Sequence, residues 1–468
     1  MRRRQLLGTL AAGAGAAVAL PRRAHGVGPR EAAALAREAA IAGMVADCSC
    51  ALPQDTAAAG PRVGPPGSER FLGVGSTLRI TDMKVFGVTL DPKLGRADRP
   101  YVFVKIETNQ GVFGWGEATL EGKASAAMAC VNDLRDLVIG SDPMQVEHTY
   151  QLMYIGSFYR GGPVLGSAIS GIDQAIWDIR GKVLGLPVYD MLGGAIDPRG
   201  VRGYYHASGR TLSEIKELAG KTREAGVTAL KFQLPDMLEW VATGEKVVRA
   251  VKHMETLREG LGTDLDFAVD FHARPNPTVA AQILREIEPY HLLFAEEVCP
   301  PENVRAMLKA VRKSTTPIAT GERLIAAYGC TDVIDMGVVD ILQPDIAHVG
   351  GITALWKVSA AAEAAGIRMA PHACEGPVGG LASLHVDAAS PNFLAQEICG
   401  LVDAGEMNKV WEDLLGFSAM RMVDGRYPML PKPGLGFEVS EEALKRYPFQ
   451  GTRPFPTAFH EDGSVASL

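Results

Sequence analysis

Three carboxylates recur at one interval along the chain. Asp270, Glu296 and Glu322 each follow a short apolar segment, and 26 residues separate each one from the next. This interval is the length of one β/α unit, so the three side chains would converge from consecutive strands. Converging anions repel one another unless a cation neutralises them, and an all-oxygen set favours Mg²⁺ over zinc. Each residue alone could cap a helix or sit in a solvated loop, but the common register predicts a magnesium site.

Two histidines accompany the carboxylates. His272 lies two residues after Asp270, which places both on the same side of an extended strand. His372 ends a later apolar segment, and Asp345 follows the segment before that one. A neighbouring carboxylate would hold the imidazole of His372 in one tautomer and raise its basicity. A lone histidine is more often structural, but two on opposite sides of a predicted metal favour proton transfer.

Two further polar residues end apolar segments. Lys231 lies in Lys231-Phe232-Gln233 and could either contact the carboxylate site or form a structural ion pair. Glu397 lies in Gln396-Glu397 and could hydrogen-bond a substrate. With Lys231 and Glu397 included, the predicted site residues lie at the ends of most of the apolar segments.

Short apolar segments alternate with amphipathic helices from Val201 onward, which is the pattern of an α/β protein. The predicted strands are Val201–Tyr205, Ala229–Gln233, Phe267–Phe271, Leu293–Glu296, Ile318–Thr320, Ile341–Gln343, Arg368–Ala370 and Phe393–Glu397. Eight strands separated by single helices predict a (β/α)8 barrel, a modified TIM barrel, over residues 201–400. A doubly wound sheet is the alternative, because strand count alone does not show closure.

The residues before the barrel predict an α+β capping domain over 78–200. Strands are predicted at Leu78–Ile80, Val85–Val88, Tyr101–Glu107 and 112–115, and helices at 126–139 and Ile169–Leu184. Residues 401–468 lack the barrel rhythm and are expected to return to the capping domain. Loops at 91–99 and 154–160 are expected to close over the barrel mouth and set specificity.

The N-terminal segment has the features of an export signal. Arg2, Arg3 and Arg4 precede a weakly apolar run, Leu6–Leu20, whose 15 residues are too few to span a bilayer. This resembles a twin-arginine signal over residues 1–26, which implies a periplasmic or secreted protein with no membrane span after signal removal. A Sec signal or an uncleaved interfacial helix is the alternative, and the protein would be cytoplasmic if the signal does not function. Residues 27–77 are predicted to be an Ala/Gly/Pro-rich tether.

Composition excludes several classes of protein. The chain has 468 residues, of which 47% are hydrophobic and 22% charged, which is ordinary for a globular protein and argues against the disordered, collagenous and multi-span membrane classes. A net charge of −7 argues against nucleic-acid binding, so a small-molecule partner is expected. A homo-oligomer is also expected. The seven cysteines lack metal-site spacing, and only Cys48 and Cys50 are candidates for pairing.

These motifs together resemble those of a known family. The sequence is similar to the enolase superfamily, in its mandelate racemase-like branch, and within it to the galactonate dehydratase group of acid-sugar dehydratases. The resemblance is carried by Gly114-Trp115-Gly116-Glu117, Gly161–Gly194, Asp270-Phe271-His272, Glu296-Glu297, Pro301-Glu302-Asn303, Thr320-Gly321-Glu322-Arg323, Gln343-Pro344-Asp345, His348-Val349-Gly350-Gly351, Pro371-His372 and Pro391-Asn392-Phe393 through Glu397.

The resemblance implies a role for each site residue. Asp270, Glu296 and Glu322 would be Mg²⁺ ligands. His372 with Asp345 would be the base, His272 the acid, and Glu397 a hydrogen-bond donor to the enolate. The implied reaction is dehydration of a sugar acid to a 2-keto-3-deoxy sugar acid.

Two alternatives remain at this stage, a racemase or epimerase of a 2-hydroxy acid and a non-catalytic periplasmic sugar-acid binder. Lys231-Phe232-Gln233 lacks the second lysine of the racemase motif, which disfavours two-base racemisation. Glu296-Glu297-Val298-Cys299-Pro300 also departs from the pattern common in the dehydratase group, so the substrate contacts of this loop are not implied by the resemblance.

Overall fold

The computed structural model describes residues 77–90, 100–236, 238, 244–373, 376–397, 405–419 and 421–467, without the side chains of 405–408. The predicted signal, nearly all of the tether, Cys48, Cys50 and the 91–99 loop lie outside these ranges. No helix in the described part of the chain has the length and apolar character needed to cross a bilayer.

The first described unit is an antiparallel meander covered by helices. Its strands are β1 (Ile80–Thr89), β2 (Pro100–Thr108) and β3 (Phe113–Glu117), and its helices are α1 (Ala124–Asp133), α2 (Arg135–Val138), α3 (Val146–Ile155), α4 (Pro163–Leu184) and α5 (Val188–Met191). The meander order is β1-β2-β3. The two strands predicted before residue 90 are one continuous strand. The single helix predicted over 126–139 is two helices.

Helix α4 packs directly on β3, and two glycines of the Gly-Trp-Gly-Glu motif make this possible. A Cβ atom on Gly116 would lie 1.9 Å from the carbonyl oxygen of Gly171. The helix starts with Pro163 in its first turn and ends at Gly185, whose φ of 70° is left-handed. The predicted end at Leu184 is therefore confirmed, while the start lies six residues earlier than predicted.

The second unit is an eight-stranded parallel barrel. Its strands are β4 (Val201–His206), β5 (Ala229–Gln233), β6 (Asp266–Asp270), β7 (Ala295–Glu296), β8 (Ile318–Thr320), β9 (Ile341–Leu342), β10 (Arg368–Met369) and β11 (Gln396–Glu397). Its helices are α6 (Leu212–Glu224), α7 (Gly244–Leu261), α8 (Pro277–Ile287), α9 (Val304–Val311), α10 (Ala326–Gly329), α11 (Thr331–Met336), α12 (Ile346–Val349), α13 (Gly351–Ala364) and α14 (Pro377–Ala389), with a 3-10 turn at Glu288–Tyr290.

The sheet closes on itself. Strands β4 to β10 pair in chain order and β11 pairs with β4. Met369 of β10 then bridges Phe393, just before β11, and its amide donates to the carbonyl of Asn392 at 2.9 Å. The predicted barrel is confirmed, and closure excludes a doubly wound sheet.

Eight inward-facing residues, each in a barrel strand or directly next to one, fill the barrel interior. This ring consists of Tyr204, Ala229, Ala268, Phe294, Ala319, Ile341, Ala370 and Ala395. Six of these side chains are alanine or isoleucine, so the two aromatic rings supply most of the volume. Tyr204 and Phe294 contact edge to face at 6.1 Å. The interior is a packed floor rather than a pore.

The C-terminal residues contact both units. Helices α15 (Gly405–Leu415) and α16 (Glu441–Leu444) and strands β12 (Arg426–Tyr427), β13 (Ala458–Phe459) and β14 (Val465–Ala466) belong to this segment. Strand β12 pairs with β4 of the barrel. Pro448 bridges Val88, and the amide of Leu435 donates to Asp178 at 2.8 Å. The segment returns to the capping unit as predicted, but it also extends the barrel sheet.

Candidate active site

A second ring of side chains lies one layer above the packed floor. Side chains on a strand alternate between faces, so the next inward position is two residues further toward the carboxyl end. These positions are His206, Lys231, Asp270, Glu296, Gly321, Gln343, His372 and Glu397. Seven are polar. The strand period therefore explains why residues far apart in the chain meet at one end of the barrel.

Gly321 is the one member of this layer without a side chain. Its φ is 153°, and a Cβ atom there would lie 2.5 Å from the backbone of Gln343. The carboxylate on this strand comes from Glu322, the next residue, whose side chain is 23% exposed. The predicted even register of three carboxylates thus holds in the chain, but Glu322 enters the site from a different strand position.

Lys231 of β5 connects two carboxylates of the layer. Its Nζ is 2.8 Å from Oε2 of Glu296 and 2.6 Å from Oε1 of Glu397, and its side chain is 1% exposed. Burial would lower the pKa of Lys231, but the charges of Glu296 and Glu397 raise it well above its ordinary value. Lys231 is therefore both a buried ion-pair partner and a contact of the site.

The three predicted metal ligands come from adjacent strands, but they are not gathered into a ready-made cage. Within the described ranges, no group of three histidine, cysteine, aspartate or glutamate side chains is arranged to hold a metal ion. Lys231 engages both oxygens of Glu296, and Gln343 Nε2 donates to one of them at 3.0 Å. Metal binding by Glu296 would require it to exchange these partners.

The donor set nevertheless fits a hard cation. Among the described residues, Oδ2 of Asp270 and Oε1 of Gln343 are buried oxygens of this layer that accept no hydrogen bond. Burial, followed by the charges on Asp270 and Glu397, raises the pKa of Glu296 well above its usual range despite Lys231. An excess of oxygen acceptors and negative charge at one barrel mouth is the environment that Mg²⁺ occupies. Asp270, Glu296 and Glu322 are the residues that would hold it.

His372 and Asp345 form a buried pair, as predicted. His372 Nδ1 lies 2.6 Å from Oδ2 of Asp345, while Oδ1 of Asp345 accepts from the amide of Ala347 and caps α12. His372 Nε2 lies 3.7 Å from Glu322. Burial would lower the pKa of His372, but the charges on Glu322 and Glu397 and the contact with Asp345 raise it well above its ordinary value. The arrangement orients one ring nitrogen toward the carboxylate layer.

His272 stands on the opposite side of the barrel, four strands from His372. Its Nε2 is 2.8 Å from Oδ2 of Asp270, in a contact that is not aligned as a hydrogen bond, and its side chain is 28% exposed. His272, Ala273 and Glu297 have φ values of 49°, 52° and 41°. Left-handed backbone at non-glycine residues is uncommon and costs about 1–3 kcal/mol each. Strain is therefore concentrated where β6 and β7 end.

Glu397 accepts hydrogen bonds in this structure. The hydroxyl of Tyr204 donates to its Oε2 at 3.2 Å, and both Lys231 Nζ and His206 Nε2 contact its Oε1. Burial would raise the pKa of Glu397, but the charges on Lys231, His206 and His372 lower it well below its usual range. The donor role implied by the resemblance requires a proton that this arrangement disfavours, so that role stays a prediction.

Two residues of the polar layer were not predicted as site residues. His206 was missed because the first barrel strand was predicted to end at Tyr205, one residue early. Gln343 was noted only as part of a motif. Counting two residues from each inward residue of the floor, Tyr204 and Ile341 here, would have found both, since the register is the same on every strand.

The segment predicted as a loop at 154–160 begins in the last turn of α3, and its first residue contacts the barrel unit. Tyr154 stacks on Tyr328 of α10 at 5.4 Å. Phe158 and Tyr159, further along, are 84% and 88% exposed. The contact of Tyr154 thus joins the capping unit to the segment that follows Glu322.

Comparison with known proteins decides the family. Residues 93–193 match the model of the mandelate racemase / muconate lactonizing enzyme N-terminal domain, and residues 214–443 match the enolase C-terminal domain-like model. The chain belongs to the mandelate racemase and muconate lactonizing enzyme family. The predicted membership of the enolase superfamily is confirmed.

Relatives within this family are named as dehydratases. The chain is 37% identical over 370 residues to D-galactonate dehydratase of Xanthomonas euvesicatoria, covering 78% of this chain and 96% of the relative. It is 38% identical over 368 residues to that of Cronobacter sakazakii, with the same coverage. A solved enolase from Pantoea ananatis with bound D-gluconate and Mg has a TM-score of 0.75 and 28% identity, covering 84% of this chain and all of that one.

Proposed function

We propose that this enzyme dehydrates a sugar acid to a 2-keto-3-deoxy sugar acid. The observation that carries the proposal is the placement of two histidines, His372 with Asp345 and His272 with Asp270, on opposite sides of a carboxylate-rich layer. Membership of the hydro-lyases agrees with relatives named D-galactonate dehydratase. A D-gluconate-bound neighbour supports a polyhydroxy acid as the substrate class.

Asp270, Glu296 and Glu322 would hold Mg²⁺, the cation that this superfamily uses. When bound, Mg²⁺ would stabilise the negative charge that develops on the substrate carboxylate as the neighbouring proton leaves. Lys231 compensates the charge of Glu296 and Glu397, so neither of these two buried anions is left unpaired. Its place beside two site carboxylates also suits contact with the substrate carboxylate.

Proton transfer would be divided between the histidines. His372 would accept the C2 proton at Nε2, because Asp345 holds Nδ1 and fixes the ring. His272 would give its proton to the C3 hydroxyl, which then leaves as water with the C3–O bond electrons. One proton is taken from C2 and one is given to the departing C3 hydroxyl, so the elimination releases one water with no net change in protons. The resulting enol would then ketonise.

The structure offers little to a two-base racemase. Gln233, where the racemase motif has its second lysine, is exposed at the end of β5. A non-catalytic binder would not need two histidines each paired with a carboxylate. Product mass separates epimerisation, which leaves the mass unchanged, from dehydration, which lowers it by one water.

The test is a screen of the purified protein against aldonates that include D-galactonate and D-gluconate, with 2-keto acid formation as the readout. Chelation should abolish activity and Mg²⁺ should restore it. Glu296→Gln should lose metal binding while remaining folded, whereas Glu302→Gln, at an exposed carboxylate nearby, should behave as wild type. Full activity of metal-free enzyme, or turnover of no sugar acid, would contradict the proposal.

A further inference from the structure

His206 completes the polar layer on the first barrel strand. It is the last residue of β4 and lies one layer above Tyr204 of the packed floor, because two residues separate them on one strand. Strand β4 runs between β5 and β11. His206 is in register with Lys231, and its Nε2 contacts Oε1 of Glu397.

His206 also differs in exposure from the two groups beside it. The side chains of Lys231 and Glu397 are 1% and 0% exposed, whereas that of His206 is 21% exposed. Of these three side chains, that of His206 is therefore the one exposed at the open barrel mouth. A carboxylate paired with one ring nitrogen restricts the orientation of the ring, which is how enzymes position histidines.

The position of His206 around the barrel indicates which part of a bound substrate it can contact. Strand β4 lies four strands from β8, which precedes Glu322, and so lies across the barrel from part of the carboxylate set. A substrate whose carboxylate faces Asp270, Glu296 and Glu322 would extend its hydroxyl-bearing carbons toward the opposite wall. A hydroxyl can pair with imidazole in either tautomer, since it both donates and accepts a hydrogen bond.

We propose that His206 is a substrate-binding residue that hydrogen-bonds one hydroxyl group of the sugar acid, with Glu397 holding its ring in place. The inference rests on the proposed function, because it takes the substrate to be a polyhydroxy acid. It makes His206 a determinant of which sugar acid is used. Its substitution leaves Glu397 paired with Lys231 at 2.6 Å and with the Tyr204 hydroxyl at 3.2 Å, so a variant keeps the buried charges compensated.

The experiment compares His206→Phe, which keeps an aromatic ring without nitrogens, with His206→Gln, which keeps an amide. His253→Gln is the matched control, since His253 is a half-buried histidine on α7 that packs on Phe232 outside the barrel. Each protein is assayed on a sugar acid that the wild type dehydrates and on analogues that each lack one hydroxyl beyond C3. Thermal unfolding midpoints establish that each variant is folded.

Wild type should discriminate against one deoxy analogue by about 10- to 100-fold in kcat/KM, the range for a hydrogen bond to a charged or buried group. His206→Phe should lose a similar factor on the full substrate, mainly through a higher KM, and should lose the discrimination. His206→Gln should fall between, and His253→Gln should match wild type. This pattern would show that His206 binds the hydroxyl missing from that analogue, because a general structural change would lower kcat/KM for all substrates alike.

An equal loss on every analogue, or a lower kcat with unchanged KM, would overturn the assignment. If the wild type turns over no sugar acid, calorimetric titration of wild type and His206→Phe with D-gluconate and D-galactonate in the presence of Mg²⁺ separates the two proposals. Weaker binding by the variant would then support His206 although the dehydratase proposal had failed. Equal affinity, or no binding by wild type, would overturn the His206 inference.

Discussion

His372 and His272 are held in different ways. His372 is buried and bonded to Asp345, whereas His272 is partly exposed on a left-handed backbone beside Asp270. We expect His372→Asn to lose both dehydration and exchange of the substrate C2 proton in D₂O, because nothing then removes that proton. His272→Asn should lose dehydration by about 10²- to 10⁴-fold, as for a general acid, while exchange persists.

NMR of the C2 proton, followed beside keto-acid formation, reads both events in one sample. His291→Asn is the control, since His291 is exposed before β7 at the other end of the barrel, and Asn tolerates its φ of 48°. Exchange kept by His372→Asn and lost by His272→Asn would reverse the two roles. Dehydration kept by both variants would refute a two-histidine mechanism.

The sequence predicts which residues lie at the strand ends better than it predicts which of them contact one another. The spacing of Asp270, Glu296 and Glu322 located the carboxylates, and the strand ends located both histidines. The sequence did not show that Lys231 would join Glu296 to Glu397, because that contact crosses from β5 to β7 and β11. Such contacts depend on side-chain direction inside a closed barrel, which spacing along the chain does not specify.

At the scale of elements, a capping-unit carboxylate holds the helix that follows His372. Glu117 at the end of β3 accepts from the amides of Gly376 and Gly379 at 2.7 and 2.9 Å, and from the Thr119 hydroxyl at 2.6 Å. A carboxylate at a helix N-terminus satisfies amides that have no partner in the helix and interacts favourably with the helix dipole. Glu117 therefore connects β3 to α14 and fixes Gly376, four residues after His372.

We expect Glu117→Gln to lower kcat with little change in KM. The amide NH₂ group must face one of the two backbone donors, so one hydrogen bond is replaced by repulsion, at a cost of about 1–3 kcal/mol. Urea unfolding and steady-state kinetics measure the two effects. Glu363→Gln, at an exposed carboxylate on α13, should change neither. An unchanged kcat in Glu117→Gln would show that the position of His372 does not depend on the contacts of Glu117 with α14.

The observed strand boundaries show what the apolar patterns in the sequence do not predict. Strand β5 and strand β8 have their predicted bounds, while β7 is Ala295–Glu296 instead of Leu293–Glu296 and β11 is Gln396–Glu397 instead of Phe393–Glu397. Apolar runs identify residues that are buried, but a barrel strand stays paired only where its curvature keeps both neighbours within hydrogen-bonding reach. The correct length of β4 would have revealed His206.

At the scale of the whole molecule, a buried carboxyl joins the capping unit to the barrel. Asp173 on α4 accepts from the amide of Thr353 at 2.9 Å and from its hydroxyl at 2.6 Å. Nearby, Ser170 accepts from the amide of Gly350 at 3.0 Å. Burial raises the pKa of Asp173 from 3.8 to about 7, although the hydrogen bonds from Thr353 act to lower it.

The raised pKa of Asp173 makes docking sensitive to pH. Because the folded state holds this proton more tightly than the unfolded chain, the contribution of Asp173 to stability is largest below about pH 4 and declines as the pH rises to about 7. The decline is at most about 4 kcal/mol. Asp173→Asn does not titrate and can keep both contacts, since the Thr353 hydroxyl can also accept.

Urea unfolding of wild type and Asp173→Asn between pH 4 and 8 measures the difference. The variant should gain stability relative to wild type as the pH rises, and the gain should level off above pH 7. A difference that does not change with pH would mean that Asp173 has an ordinary pKa in the folded protein.

Closure of the barrel could be expected from eight strands but not demonstrated from them. The bridge between Met369 and Phe393 decides it, and no local pattern distinguishes a strand that closes a barrel from one at the edge of an open sheet. The docking of α4 on α12 and α13 was likewise unpredictable, because Ser167, Ser170 and Asp173 look like ordinary polar helix residues until their partners are known.

The N-terminal segment concerns where the enzyme acts, and we propose that the enzyme is exported through a twin-arginine route. Two features of the sequence support this, the arginines at positions 2–4 and the short, weakly apolar run that follows them. A chain whose site depends on eight strands meeting in a closed barrel and on a bound cation gains from folding and loading before it crosses a membrane.

A reporter fused after residue 30 should therefore reach the periplasm, and replacing Arg3 and Arg4 by lysine should block it. Lysine keeps the positive charge, so a block would reflect recognition of the arginine pair rather than loss of charge. Cell fractionation with reporter activity measures the outcome, and a fusion that lacks residues 1–26 serves as the unexported control. Export that continues with lysine at both positions would indicate a Sec signal, which needs only a basic start and an apolar run. Retention of the unaltered fusion in the cytoplasm would show that residues 1–26 do not act as a signal, and the enzyme would then meet its substrate inside the cell.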